Sequence, residues 1–283
     1  MSNYYKTAVL LTCHNRRKKT ISCLNSFYKS IIPKEYLFEI FLIDDGSTDG
    51  TSEAVKELFP QIFVIRSSGN LYWNQGMRLA WETASKSADF DFYLWLNDDV
   101  LLYEFSISHI LNCYQEALNE DKKPSIITGA CKTSEENEEF SYGGRTKSGP
   151  VIPNGKIQMC NYINGNLVLV PKTIFQQIGI LSPDYRHNFG DFDYGLRTQF
   201  AGYKCYTTKI YVALCPNSKE MPAWCNPRTP FQERIKLWSH PKGPNLKEYY
   251  IFLKRSYGSI WIIYAIRTSV KAYFKIIFPG ISS

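Results

Sequence analysis

The sequence predicts an α/β fold in which a mostly parallel central sheet is flanked by helices. Apolar runs recur along the first hundred residues. The run at 92–96 is apolar at every position, which is typical of a strand buried on both faces. Between these runs lie segments with a helical spacing of apolar residues, such as Ile21, Leu24 and Phe27. Strands that alternate with helices indicate a parallel sheet wound by right-handed crossovers.

The individual elements follow from the same patterns, taken in chain order. Strands are predicted over residues 7–12, 38–43, 61–66, 92–96, 125–130, 167–170, 203–207 and 210–214. Helices are expected to end near residues 30, 58, 119, 179 and 202, and a further helix opens within 69–76. The polar segment 135–153 contains Gly143-Gly144 and Gly149-Pro150, so a hairpin or a mobile loop is predicted there.

Composition narrows the class of function. The net charge of +7 is mildly basic, which is compatible with anionic ligands or a membrane surface and gives little support for nucleic acid as a partner. The 8 cysteines form no CxxC pair and show no zinc-like spacing with histidine, so free, buried thiols in a reducing cytosol are expected. The N-terminus has no apolar signal-peptide core, and no apolar stretch reaches the length of a spanning helix. We therefore expect a cytoplasmic protein.

Two adjacent carboxylates follow the buried run, in Asn97-Asp98-Asp99. Open α/β sheets bind their ligands at the carboxyl ends of the strands, and neighbouring acids repel each other unless a cation neutralises them. The stretch therefore predicts a divalent metal held by Asp98 and Asp99, and a diphosphate held by the metal. The alternative is that these acids only cap a helix that starts near Tyr103.

The C-terminal part has a different character. Residues 248–278 are rich in Ile, Tyr, Phe and Trp, and Arg267, Lys271 and Lys275 are four apart on one helix face. A basic amphipathic helix of this kind can lie in a membrane interface. The alternative is a helix packed back on the domain. We predict a globular domain over residues 1–216 and a helical, membrane-interface extension over 217–283.

Six motifs occur in a fixed order between residues 7 and 216. They are Thr12-Cys13-His14-Asn15-Arg16, residues 43–50, residues 69–77, Leu96-Asn97-Asp98-Asp99, Asn164-Gly165-Asn166 and residues 190–197. Each is weak alone, but their order and spacing are specific. Together they resemble glycosyltransferase family 2, the inverting GT-A enzymes, and within it bacterial members that build cell-surface polysaccharides, including the rhamnosyltransferase-like group. The resemblance implies the GT-A (nucleotide-diphospho-sugar transferase) fold.

A donor site is the first implication of the resemblance. Carboxylates at a strand end suit a base N–H or ribose hydroxyls. In the alternative, Asp44 and Asp45 serve only the turn and the following helix, and Gly76 serves helix–strand packing. The residues that would bind the nucleotide or shape the donor pocket are Thr12, His14, Asn15, Arg16, Asp44, Asp45, Asn70, Trp73, Asn74, Gly76 and Asp98.

A cofactor, Mg²⁺ or Mn²⁺, is the second implication. Asn97-Asp98-Asp99 looks like the family's DxD-type metal motif with an amide in first place, so Asp99 is the expected direct ligand and Asp98 lies close by. Many relatives place a histidine ligand after the last strand of this domain, whereas Cys215 lies near that position here. Because cysteine is a softer ligand that suits magnesium poorly, either water completes the metal shell or metal binding is weaker.

The catalytic base is the third implication, and Asp191 matches it. An inverting transfer is a single displacement in which a carboxylate takes the proton of the acceptor hydroxyl. Asp193 is the alternative base, although it can instead pair with Arg197 one helical turn on. Candidates for the acceptor site are Asn164, His187, Asp193 and Tyr194.

These implications predict an enzyme at the cytoplasmic face of the cell membrane. It would move a sugar, such as rhamnose from a dTDP- or UDP-sugar, to a glycan or polyprenyl-diphosphate-linked acceptor in cell-surface polysaccharide biosynthesis (O-antigen or capsule). One alternative is a non-catalytic glycan-binding protein on a decayed GT-A fold. The other is a nucleotidyltransferase, which would carry a glycine-rich phosphate loop after the first strand, where Cys13-His14-Asn15-Arg16 contains no glycine.

Overall fold

The computed structural model describes residues 4–217 and 221–280. Its strands are β1 (Tyr5–Cys13), β2 (Tyr36–Asp44), β3 (Phe63–Arg66), β4 (Phe92–Leu96), β5 (Leu101–Leu102), β6 (Ser125–Lys132), β7 (Phe140–Tyr142), β8 (Gly144–Thr146), β9 (Gly149–Pro150), β10 (Gln158–Met159), β11 (Tyr162–Ile163), β12 (Leu167–Pro171) and β13 (Lys204–Leu214). The main sheet has the order β10-β13-β6-β12-β4-β1-β2-β3, with β5 paired to β13 and β7 paired to β6. A small second sheet, β11-β8-β9, holds the predicted hairpin region.

The helices lie on both faces of the main sheet and in the C-terminal part. They are α1 (Arg17–Tyr28), α2 (Thr51–Leu58), α3 (Tyr72–Ser87), α4 (Ser106–Asp121), α5 (Lys172–Ile178), α6 (Gly190–Phe200), α7 (Phe231–Lys236), α8 (Leu246–Tyr257) and α9 (Trp261–Ile277). Short 3₁₀ turns occur at Ala223–Cys225, Leu237–Ser239 and Gly258–Ile260.

Strand β4 lies in the middle of the sheet. It pairs in parallel with β1, which pairs in parallel with β2, and β2 with β3. On its other side β4 pairs with the antiparallel strand β12. All five residues of β4 are buried, as its unbroken apolar sequence predicts. The predicted α/β fold with a mostly parallel sheet between helices is therefore confirmed.

Alternate residues of each strand enter two different cores. Val9 and Leu11 of β1 pack with α1, α2 and α4, whereas Ala8 and Leu10 pack with α3, α5 and α6. This follows from the period of two in a strand. Because both faces are covered by helices, the polar groups at the strand ends are the ones left free to meet a ligand.

Two predicted segments are divided into elements differently in the structure. The strands expected at 203–207 and 210–214 form one continuous strand, β13, whose register against β6 shifts between Thr207 and Tyr211. A local bulge therefore explains the break in the apolar pattern. The predicted C-terminal helix is divided into α8 and α9, because Gly258 adopts a φ of 54° that ends α8.

Helix α8 is attached to the sheet domain through a buried carboxylate. The side chain of Asp193 on α6 is 1% exposed, and it accepts hydrogen bonds from Arg197 Nε at 2.9 Å and from Arg255 Nη1 of α8 at 2.8 Å. Around this contact, Phe252 of α8 packs with Tyr162 and Tyr185. The ion pairs and the aromatic contacts together fix α8 against α6.

We predict that Asp193→Asn lowers the free energy of unfolding by about 2–3 kcal/mol, because two guanidinium groups lose a buried partner. The value stays below that of a fully buried pair because both arginines are partly solvated. Chemical denaturation followed by circular dichroism measures the change. Asp184→Asn is the control, since Asp184 also pairs with Arg255 but is exposed, and it should cost less than about 1 kcal/mol. Equal losses in the two variants would contradict the prediction.

Candidate active site

A cavity of about 740 Å³ opens at the carboxyl ends of β1, β2 and β4. The N-terminal end of α6 and the segment between α7 and α8 close its other sides. The cavity is lined by Thr12, Cys13, His14, Arg16, Asp45, Gly69, Tyr72, Trp73, Asn97, Asp98, Asp99, Tyr142, Asn164, Gly165, Asn166, His187, Asn188, Phe189, Asp191, Phe192, His240 and Lys242. Its size suits a nucleotide or sugar ligand.

The two carboxylates after β4 meet one positive atom. Nη1 of Arg16 lies 2.9 Å from Asp98 Oδ1 and 3.0 Å from Asp99 Oδ2. Asp98 is buried, and this burial raises its pKa to about 6, although the Arg16 charge acts in the opposite direction. Asn97 is turned the other way, because its Oδ1 accepts a hydrogen bond from Trp73 Nε1 at 2.6 Å. The pair Asp98–Asp99 therefore forms a preformed cation site that Arg16 fills.

The same donor atoms fit magnesium or manganese. Both cations prefer oxygen ligands and are commonly held by one or two carboxylates plus substrate phosphates. Nearby Cys215 is a poor ligand, since burial and then the Asp99 charge raise the pKa of its thiol far above the ordinary value. The protonated thiol instead donates towards Asp99 Oδ1 across 3.8 Å. Asp98 and Asp99 are thus the residues that would hold a metal.

Over residues 4–217 and 221–280 there is no cluster of three His, Cys, Asp or Glu side chains that could hold a metal by itself. The two carboxylates are therefore expected to share a metal with oxygens of a bound substrate.

Asp45 connects the end of β2 to the start of α3. Its carboxylate accepts hydrogen bonds from the backbone N–H of Leu71 at 3.0 Å and of Tyr72 at 2.9 Å. The backbone oxygen of Asp45 accepts a 2.6 Å hydrogen bond from His14 Nδ1. These bonds hold the first two strand ends and the α3 terminus around one side of the cavity, which Thr12 and Trp73 also line.

Several residues of the donor motifs support this wall without lining the cavity. Asp44 accepts from the backbone N–H of Ser47, and Asn15 Oδ1 accepts from that of Thr48. The carbonyl oxygen of Asn70 accepts from Arg186, and the buried amide of Asn74 donates to the carbonyl oxygens of Ser182 and Tyr185. A Cβ added to Gly76 would lie 2.3 Å from Thr12 Oγ1, so α3 can approach β1 only with glycine there.

Asp191 lies in the first turn of α6 and lines the cavity. Its Oδ2 accepts from the backbone N–H of Gly165 and its Oδ1 from that of Phe192, each at 2.9 Å. Burial raises its pKa to about 6, while these hydrogen bonds partly oppose the rise. A fixed carboxylate with a pKa near neutrality is suited to general-base catalysis.

The acceptor-site candidates divide into two groups. Asn164 and His187 line the same cavity as Asp191. Asp193 points to the opposite side of α6, towards Arg197 and Arg255, and Tyr194 is buried with its hydroxyl donating to the carbonyl oxygen of Gly179. Neither Asp193 nor Tyr194 is among the lining residues.

The lining residues that were not sequence-based candidates include Tyr72, His240 and Lys242. Tyr72 lies inside a recognised motif, between Asn70 and Trp73, so its position was a usable signal. His240 and Lys242 come from beyond residue 216, where no local pattern ties them to the strand ends. Only the folded chain shows that they belong to this cavity.

Comparison with known proteins fits this architecture. Residues 8–138 match the family model described as Glycosyl transferase family 2. The resemblance to this family is confirmed. The matched segment contains the strand ends, Asp45 and the Asn97-Asp98-Asp99 site. The family match supports a sugar-transferase function. No curated protein sequence matches the chain significantly.

Solved structures of glycosyltransferases share the fold. The mannosyltransferase PcManGT from Pyrobaculum calidifontis, in complex with GDP-Man and Mn²⁺, aligns with a TM-score of 0.54 at 16% identity, over 99% of this chain and 78% of that one. S. aureus TarS 1–349 in complex with UDP-GlcNAc aligns with a TM-score of 0.57 at 13% identity, over 96% of this chain and 90% of that one. The predicted GT-A fold is thus confirmed.

We predict that Arg16→Gln binds Mn²⁺ about tenfold more tightly than the wild type in the absence of nucleotide, because Asp98 and Asp99 lose their internal cation. Without metal, this variant should melt at a lower temperature, and Mn²⁺ should restore the loss. Calorimetry and thermal unfolding measure the two effects. Arg17→Gln is the control, since Arg17 does not line the cavity. An unchanged Mn²⁺ affinity in Arg16→Gln would show that the two carboxylates do not form the cation site.

Proposed function

We propose that the protein is an inverting glycosyltransferase that moves a sugar from a nucleotide-diphosphate donor to a glycan or lipid-linked acceptor. The observation that carries the proposal is the pairing of two sites in one cavity. The carboxylate pair Asp98–Asp99 can hold a cation with a diphosphate, and the half-buried carboxylate of Asp191 faces the same space. A transferase of this class needs both a leaving-group site and a base.

The proposed reaction is a single displacement. The acceptor hydroxyl attacks the anomeric carbon, the bond from that carbon to the diphosphate oxygen breaks, and Asp191 takes the hydroxyl proton. Backbone N–H groups of Gly165 and Phe192 fix the carboxylate, and its remaining lone pairs are available for the proton. A metal bound by Asp98 and Asp99 would neutralise the leaving diphosphate as a Lewis acid.

The proposed donor is a dTDP- or UDP-sugar, and the resemblance to the rhamnosyltransferase-like group favours a deoxyhexose such as rhamnose. The related structures support a nucleotide-sugar as donor class, since PcManGT is in complex with GDP-Man and TarS with UDP-GlcNAc. In this chain Thr12, His14 and Asp45 line the side of the cavity at the ends of β1 and β2. This is the side of the cavity proposed for the nucleotide. Polysaccharide biosynthesis remains the proposed pathway.

We predict that Asp191→Asn keeps the fold and the nucleotide affinity but lowers transfer by about 10²–10⁴-fold, because a positioned base contributes that much. Calorimetry with UDP, dTDP and GDP, with and without Mn²⁺, measures binding. Release of nucleoside diphosphate from sugar donors, with a membrane lipid extract as acceptor, measures transfer.

Asp184→Asn, the same change at an exposed position outside the cavity, is the control for this experiment. Transfer by Asp191→Asn within threefold of the wild type would reject Asp191 as the base. Release of pyrophosphate by the wild type would identify a nucleotidyltransferase instead. Glycan binding by the wild type without any turnover would support the decayed, non-catalytic fold.

We propose that residues 217–283 form an extension that rests on the inner face of the cell membrane. Helix α9 supports this with an outward apolar stripe that includes Ile263, Ile266 and Val270, each more than 60% exposed. At 100° per residue, Arg267, Lys271 and Lys275 lie in a row along one flank of the stripe. Ala265, Ala272 and Ile276 face the protein. An apolar face beside a basic row fits an anionic lipid surface.

Within residues 4–217 and 221–280, the helices are all too short or too polar to cross a bilayer.

We predict that Ile266→Glu/Val270→Glu lowers sedimentation with vesicles containing phosphatidylglycerol by about tenfold, because two apolar side chains leave the interface and two negative charges enter it. The folded state should be retained, since both positions are exposed. Phe200→Glu is the matched control, as Phe200 is 70% exposed at the end of α6, far from α9 in sequence. Equal sedimentation of all three proteins would reject the interfacial role of α9.

A further inference from the structure

One wall of the cavity is built by the segment between α7 and α8. Residues 237–245 form a compact turn in which the backbone N–H of Gly243 donates to the carbonyl oxygen of His240 at 2.8 Å. A Cβ on Gly243 would lie 1.9 Å from the carbonyl oxygen of Leu237, so the turn is too tight for any other residue. Asn188 Nδ2, beside α6, donates to the carbonyl oxygen of Pro241 at 3.2 Å and ties the turn to the cavity rim.

The hydrogen bonds of His240 determine what Tyr72 can do. His240 Nδ1 accepts from the backbone N–H of Lys242 at 3.2 Å, so the proton of the neutral imidazole is on Nε2. Burial, followed by the charges of Lys242 and Arg186, lowers the pKa of His240 and keeps it neutral. Its Nε2–H then donates to Tyr72 Oη at 3.1 Å. The hydroxyl hydrogen of Tyr72 is left free to donate into the cavity.

One cation and two neutral histidines pack around the Tyr72 ring. The guanidinium of Arg186 lies over the Tyr72 ring, 4.9 Å from its centroid, and the His187 ring is 6.1 Å away on another side. Burial, then Lys242, Arg16 and His240, lower the pKa of His187 to about 4, so it too is neutral and offers a donor without adding charge.

Lys242 is a cation of this wall that lines the cavity. Among the residues the structure describes, no carboxylate comes within ion-pair distance of its Nζ, although Lys242 lines the cavity. The carboxylates that share the cavity already have partners: Asp98 and Asp99 pair with Arg16, and Asp45 and Asp191 accept backbone N–H groups. An ammonium and a hydroxyl donor that line the same cavity are the chemistry that receives an oxyanion.

We propose that Lys242 and the Tyr72 hydroxyl, which His240 orients, form a phosphate subsite that the C-terminal segment adds to the cavity. The proposal rests on the proposed function, because both proposed substrates carry phosphate. The ligand is either the diphosphate of the sugar donor or the phosphate of a lipid-linked acceptor. This subsite uses residues other than Asp98 and Asp99, the two that would hold the metal.

The test compares wild type, Lys242→Gln and Tyr72→Phe by calorimetry. The probes are UDP, dTDP, GDP, their nucleosides, inorganic pyrophosphate and farnesyl phosphate. Lys247→Gln is the matched control, since Lys247 is an exposed lysine of α8 outside the cavity. Lys242 is also exposed, so its substitution should leave the fold intact. Tyr72→Phe keeps the ring that packs against Arg186 and the two histidines.

For a donor subsite, both variants should bind the nucleoside diphosphate about tenfold more weakly and the nucleoside equally well, as expected for loss of a charged hydrogen bond. For an acceptor subsite, farnesyl phosphate binding should fall by the same factor while nucleotide binding stays constant. Affinities within twofold of Lys247→Gln for every phosphate probe would overturn the subsite. If the wild type binds no nucleoside diphosphate, the proposed donor class fails, and a Lys242-dependent affinity for pyrophosphate would still support the subsite.

Discussion

The burial of β4 on both faces is the constraint on which the rest of the structure depends. The strand has β1 on one side, β12 on the other and helices above and below, so its five residues have one register and one place to end. That end places Asn97-Asp98-Asp99 at the floor of the cavity. Trp95 contributes by packing against Trp73 and Trp81, which ties the strand to α3. Packing energy in the core thus fixes the geometry of charged groups at the sheet edge.

Helix α6 directs one carboxylate of a short motif into the cavity and the other into stabilising ion pairs. Asp191 and Asp193 are two residues apart, and two residues rotate a helix by about 200°. One carboxylate therefore faces the cavity and the other faces the protein, where two arginines neutralise it. Asp191 is held by the backbone N–H groups of Gly165 and Phe192 instead.

The sequence carried most of the information about the sheet and the cavity floor. Apolar runs located β1, β2, β4 and β12, because burial on both faces leaves an unbroken pattern. Polar motifs at the strand ends located Asp45, Asp98 and Asp99, since parallel strands bring these ends together. The sequence did not show which residues line the cavity and which support its wall. Asn74 and Trp73 are neighbours in one motif, and only the orientation of α3 decides which of them faces the cavity.

The C-terminal wall could not be predicted for a different reason. His240 and Lys242 reach the cavity through a tight turn at Gly243, which the Asn188–Pro241 hydrogen bond ties to a segment 53 residues away. The position of this turn depends on tertiary packing, which the periodicity of the sequence does not indicate. The thiol of Cys215 is a similar case, since only the folded structure shows that it is buried and that it donates towards Asp99.

The position of this wall in the chain has a consequence for biosynthesis. A ribosome synthesises β1 to β13 before it synthesises the turn at 237–245 and Arg255, the ion-pair partner of Asp193. The cavity therefore acquires this wall only after the whole main sheet has emerged, and the segment that follows the turn carries the apolar stripe of α9. A nascent chain therefore holds the carboxylates after β4 before it can enclose a ligand.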